Sequence, residues 1–165
     1  MDYYEGGYKL LTTRLNGDRI LIVPKHQQAP EDAEALVSPS AEGKPGKLIV
    51  LQEPVKNLYL VASSVMDMFA QLDSMDAISM CGLKEEDWYI PAAKQAMKDG
   101  TLLYAGKYSQ PDYELLLSQN CSMAIENSMI YHTPEVKEQL ERFGIPVLVE
   151  RSSYESSPLA RMEWI

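Results

Sequence analysis

The segment Ala105-Gly106-Lys107-Tyr108-Ser109 carries the glycine–lysine pair of a phosphate-cradling loop. Such a loop needs Gly, four residues, then Gly-Lys-Ser/Thr, so that backbone amides wrap the phosphates and a hydroxyl reaches Mg²⁺. Here Thr101 occupies the first glycine position and Tyr108 follows the lysine. The match fails at both places, so nucleotide hydrolysis is not expected. Lys107 is left as either a ligand-facing cation or a solvated lysine. The two histidines, His26 and His132, lie far apart, and neither begins a short motif with metal-ligand spacing. No protein-held metal site is expected. The GxSxG elbow is absent, and no serine is flanked by glycines between a strand and a helix. No catalytic residue is assigned from these motifs.

The aromatic residues are more suggestive. Trp88, Tyr89, Tyr108, Tyr131 and Tyr154 each follow a predicted strand. Tyrosine and tryptophan offer a large contact area with one polar atom, which suits a bulky, partly apolar ligand. Ordinary loop packing is the competing reading for each of them. Arg151 could pair with an anionic group or serve its own loop.

Those residues need a scaffold, and the chain supplies one. Tyr104 to Glu150 reads as strand, helix, strand, helix, strand: LLYAG, PDYELLLSQ, SMAIEN, TPEVKEQLERFG, IPVLVE. Short apolar strands alternating with helices predict a parallel sheet with crossover helices. Such a sheet places ligands beyond the carboxyl ends of its strands. Lys107-Tyr108, Asn127-Ser128, Tyr131-His132 and Arg151-Ser152-Ser153-Tyr154 occupy those ends. Upstream, NLYLVASS is a strand running into a helix that Ser63 or Ser64 can cap. Val65, Met68, Phe69 and Leu72 then form an apolar stripe at i, i+3, i+4 and i+7, read as core. AISMCG is the next strand. Pro91 opens a helix that Gly100 closes. Ser109 or Pro111 opens another, and Thr133-Pro134 a third, with Val136, Leu140 and Phe143 as its buried face and Gly144 at its end. A last helix starts at Ser157-Pro158 and has room for about two turns, short for a stable isolated helix. The expectation is a fragment, or a helix bridging to a missing part.

Residues 8–24 read as a β-hairpin about Asn16-Gly17. The polar stretch 25–47 is a surface loop, and LIVLQ after it is another strand. The fold class is thus α/β: a parallel sheet flanked by helices, with an N-terminal β-hairpin. Residues 1–52, comprising hairpin, loop and leading strand, are taken as part of the same domain as the α/β lobe of 53–165.

Composition bounds the partners. At 165 residues the chain can bury roughly 70% of its unfolded surface. A formal charge of −9 weighs against nucleic acid, which demands a basic face. No apolar run approaches the roughly 18 residues of a membrane span. The N-terminal MDYYEGGYK lacks the features of a signal peptide, which leaves a cytosolic protein or one whose targeting segment precedes this sequence. Cys81 falls at the carboxyl end of one strand and Cys121 at the amino end of another. Those ends lie about 15–20 Å apart, too far for a disulfide, so two free, mostly buried thiols are expected.

The string NLYLVASSVMDMF, WYIPAAKQAM and YAGKYSQPDYELLLSQNCSMAIENSMIYHTPEVKEQLERFGIPVLVERSSYESSPLARMEWI resembles the substrate-binding proteins of ABC importers for iron–siderophores and cobalamin. The similarity spans about residues 47–165. It implies two α/β lobes joined by one rigid helix, with the ligand between them. This chain would be the amino-terminal lobe, a Rossmann-like lobe of a class III periplasmic binding protein, and its carboxyl-terminal lobe would be missing. The cargo would be a metal chelate: a ferric siderophore, haem or corrinoid. Ligand contacts would come from Ser63, Ser64, Trp88, Tyr89, Lys107, Tyr108, Tyr131, Arg151 and Tyr154. Glu114 would meet arginines of the membrane permease. The resemblance also implies an extracytoplasmic, membrane-anchored protein. Two other readings stand beside it: a small cofactor-binding α/β enzyme, and a stand-alone interaction domain.

Overall fold

The computed structural model describes residues 1–13, 17–33, 46–162 and 164. In chain order its strands and helices are β1 (Asp2–Tyr3), β2 (Lys9–Thr12), β3 (Arg19–Val23), β4 (Leu48–Gln52), β5 (Leu58–Leu60), α1 (Met66–Gln71), β6 (Ile78–Cys81), α2 (Pro91–Lys98), β7 (Leu103–Tyr104), β8 (Gly106–Lys107), β9 (Gln110–Pro111), α3 (Tyr113–Ser118), β10 (Met123–Glu126), α4 (Pro134–Arg142), β11 (Val147–Val149) and α5 (Pro158–Met162). Contacts divide the chain into two units, Met1–Val55 and Lys56–Ile165.

In the first unit the hairpin forms as expected: β2 and β3 are antiparallel, with Leu10 opposite Leu21. The strands close on Thr13, whose amide donates to the Asp18 carbonyl at 2.8 Å. Asn16 of the expected turn, and 34–45 of the expected loop, lie outside the described residues. β1 adds antiparallel to β2. β4 joins β3 in parallel, so the leading strand belongs to the N-terminal mixed sheet, ordered β1-β2-β3-β4. Leu10, Leu21, Val23 and Ala33 form this unit's core.

The second unit is the α/β body. Five strands pair in the order β11-β10-β5-β6-β7, all parallel. Alternation sorts their side chains onto two faces. On one face Tyr59, Ala124, Val147 and Val149 pack with Leu116 of α3 and with Val136 and Leu140 of α4. Full burial of each such aliphatic side chain stabilises the unit by about 1.5–3 kcal/mol. On the other face Ile125 and Leu148 line a cavity together with Val65, Met68 and Phe69 of the α1 segment.

Local signals explain most boundaries. Proline stands in the first turn of α2 and of α4, where a missing amide costs nothing. Gly144 takes φ +78° just beyond α4, the left-handed closing position that glycine fills most cheaply. Asp112 caps α3 by accepting from the Leu115 amide at 3.0 Å. Neither Ser109 nor Pro111 does so, because 110–111 pair with 106–107 in a small hairpin. Thr133 holds the N-cap position of α4 without a side-chain capping bond. Phe143 is exposed and meets Tyr113 edge-on at 5.5 Å, so it is not part of the buried face. Glu163 and Ile165 of the last helix lie outside the described residues. Cys81 and Cys121 are free, buried and half-buried respectively.

Candidate functional site

Strand order places the site. Chain order runs outward from β5 through β6 to β7 on one side, and through β10 to β11 on the other. Connections therefore diverge between β5 and β10, and a crevice opens beyond the carboxyl ends of strands at such a switch point. The chain leaves β5 tightly there. The amides of Val61 and Ala62 both donate to the Ile125 carbonyl, at 2.9 and 3.1 Å. After β10, Asn127 accepts from the Met129 amide at 2.9 Å and starts the short 3-10 turn Ser128–His132. After β11, Ser152–Tyr154 forms another 3-10 turn.

These two turns meet. The hydroxyls of Ser128 and Tyr154 lie 2.7 Å apart, and the Arg151 guanidinium carbon lies 5.3 Å from the Tyr154 ring centre. A guanidinium held over an aromatic face is oriented by cation–π attraction. A guanidinium carries five N–H donors, which suit an anionic acceptor. Arg151, Tyr154 and Ser128 thus form one preorganised group at the ends of neighbouring strands. The sequence marks Arg151 and Tyr154, and Ser128 as part of an occupied strand end.

The other expected contact residues divide. Ser63 is exposed beyond β5, and Tyr131 is exposed in the turn after β10. Tyr89 is almost fully solvated, at 98%. Lys107 is exposed on β8. Trp88 does not reach the surface. It is 2% exposed, because its indole folds inward beside the buried Cys81, and it serves packing rather than a ligand. Tyr108 packs half-buried against the main core cluster, which also removes it from an open edge. Ser64 caps no helix; its Oγ donates to Glu150 Oε2 at 3.1 Å. Glu114 is exposed in the first turn of α3.

Sequence reasoning passed over two carboxyl groups, Glu126 and Glu150, which end the apolar strings SMAIE and VLVE. Glu126 is fully buried, and neither carboxyl oxygen has a hydrogen-bond partner among the described residues. Burial pushes its pKa up to about 8, since an apolar surround disfavours the charged form. Burial, and then the nearby Glu126, also raise Tyr59, whose hydroxyl donates to the Gly106 carbonyl at 2.7 Å. Glu150 is likewise buried, at 4%, but accepts from Ser64 Oγ and from the Ser152 amide. It borders a cavity of about 320 Å³ between α1 and the sheet. The available signal was a carboxylate closing each apolar strand; alternation alone assigns each to its face.

Comparison with family models, curated proteins and solved structures returns no match.

Proposed function

We propose that the chain is the solute-binding component of an ABC importer, a non-catalytic protein that supplies one wall of a cleft for a metal chelate. In this reading Lys56–Ile165 is a Rossmann-like lobe of a class III periplasmic binding protein. The single observation that carries it is the Arg151–Tyr154–Ser128 group at the carboxyl edge of a parallel sheet, beside the switch point. A guanidinium over an aromatic ring suits the carboxylates or catecholates of a ferric siderophore or haem, and Tyr131 and Tyr89 offer exposed aromatic surface to the apolar body of such a ligand. The chelator, not protein side chains, holds the metal. A second lobe would close the cleft. Glu114, exposed on α3, is assigned to arginines of the membrane permease through a bidentate contact, and the protein works outside the cytoplasmic membrane on a lipid anchor.

Affinity tests the reading. A micromolar complex is worth about 8 kcal/mol, and half of that corresponds to a roughly millimolar constant. Calorimetry of the chain with anionic ferric chelates should therefore give weak binding, lost on Arg151→Ala. Tight binding by this chain alone contradicts the shared cleft, and binding indifferent to Arg151→Ala contradicts the site. In a transport assay of the whole system, Glu114→Ala should slow uptake while leaving chelate affinity unchanged. Unchanged uptake removes the docking assignment.

A further inference from the structure

The cavity behind Glu150 is chemically unlike the sheet edge. Besides Glu150, it is lined by Val65, Met68, Phe69 and Leu72 from the α1 segment, by Ser74, by Ile125 and Leu148 of the sheet, and by Trp164. Ile125 and Leu148 alternate with Ala124 and Val147, so the cavity is on the opposite face of the sheet from α3 and α4. Its volume, about 320 Å³, falls at the lower end of small-molecule sites. The stripe at 65, 68, 69 and 72 is therefore not sealed core; Leu72 is exposed and Met68 and Phe69 are half-buried.

Glu150 is the one ionisable residue among those lining this cavity in the described residues. It is fixed from behind: Ser64 Oγ donates to one oxygen and the Ser152 amide to the other. A carboxylate offers about four acceptor positions, so two remain. Apolar walls, two aromatic rings and one anchored anion select for the opposite charge on an apolar body. Aromatic faces attract organic cations, methionine adapts to irregular shapes, and a carboxylate pairs with an ammonium by charge-assisted hydrogen bonds. Trp164 is itself held in place, its Nε1 donating to Glu155 Oε1 at 3.1 Å.

We propose that this cavity binds a small apolar amine, with its ammonium on the Glu150 carboxylate and its hydrocarbon between Phe69, Met68 and Trp164. Ser64 acts as a positioning residue, holding the carboxylate toward the cavity. The site is separate from the Arg151 edge, which prefers anions, and it does not depend on the chelate reading.

The test is a ligand series of one shape and three charges: phenylbutylamine, phenylbutanol and phenylbutyrate, measured by calorimetry on the full chain. The amine should bind about tenfold or more tightly than the alcohol, the margin of one charge-assisted hydrogen bond, and the acid more weakly than either. Glu150→Gln should bring the amine to the level of the alcohol and leave the alcohol unchanged. Arg151→Ala should leave amine binding intact, which separates this site from the edge. Met68→Trp should fill the cavity and abolish binding of both amine and alcohol. The proposal is overturned if alcohol and amine bind equally to the unaltered protein, if none of the three binds at millimolar concentration, or if sedimentation shows a dimer that Met68→Asp dissociates, because the occupant is then a second copy. The series on the unaltered chain decides the matter even if Glu150→Gln fails to fold.

Discussion

Glu126 and Glu150 close adjacent parallel strands at the same edge of one sheet. The Glu150 amide donates to the Glu126 carbonyl at 2.7 Å, yet the two side chains live in opposite surroundings. Glu126 shares a face with Tyr59 and the main apolar cluster and has no hydrogen-bond partner for either oxygen among the described residues. Glu150 faces the other way, receives two donors and borders a cavity. Because side chains alternate along a strand, a step of one position is enough to choose between two chemistries. On one face the carboxyl group is held neutral in apolar packing; on the other it is a fixed acceptor facing a cavity that a ligand can fill.

The largest effect should come from breaking this contrast at Glu126. Its folded-state pKa of about 8 is raised above the ordinary glutamate value near 4.3. Between those values the folded state binds more protons than the unfolded state, so stability falls as pH rises through that window and levels off above it. The total decline is roughly 4–5 kcal/mol by this linkage. Glu126→Gln should flatten the profile and be the more stable protein at pH 9, less the cost of burying an amide. Urea unfolding across pH 4.5–9 measures it; parallel profiles for the two proteins would remove the buried-acid account.

A smaller effect is expected one strand away. Tyr59→Phe removes the donor to the buried Gly106 carbonyl, and an orphaned buried acceptor costs about 1–3 kcal/mol. This loss should be the same at pH 5 and pH 8, unlike that at Glu126. If it changes with pH, Tyr59 and Glu126 are coupled more directly than their geometry indicates. The smallest effect belongs to the other face. Ser64→Ala takes one of two donors from Glu150 and should cost about 1 kcal/mol in thermal or urea unfolding. A loss as large as that from Tyr59→Phe would mean that the carboxylate leans on Ser64 far more than on the Ser152 amide.

The parts of this molecule that follow from local chemistry were readable from its residues. Short apolar runs, Pro91 and Pro134 at helix starts, and Gly100 and Gly144 at helix ends gave the α/β alternation, and the parallel sheet follows from it. Arg151 and Tyr154 could each be placed in the loop after β11, but their contact with one another could not be read from the residues. What escaped depends on residues distant in sequence. Trp88 was placed at an open edge because it follows a strand, but a large indole beside a buried cysteine gains more from packing than from exposure. Ser63 or Ser64 was expected to cap a helix, but neither makes a side-chain capping bond, and the Ser64 hydroxyl donates to the distant Glu150 carboxylate instead. The stripe through Met68 and Phe69 has the period of a core helix, and periodicity does not report whether the facing layer fills the space. The membership of β4 in the N-terminal sheet likewise rests on pairing with β3, for which no local motif exists.

One consequence of the thiol positions is practical. The chain's two cysteines both lie within Lys56–Ile165, and burial pushes Cys121 up to about 11, which starves it of reactive thiolate at neutral pH. Buried Cys81 should be alkylated in native buffer only through transient opening of that unit, half-buried Cys121 more readily, while Met1–Val55 contributes no signal. The unmodified protein thus carries its own reporter: mass addition at Cys81 against time should clock the breathing of the α/β body without any introduced label.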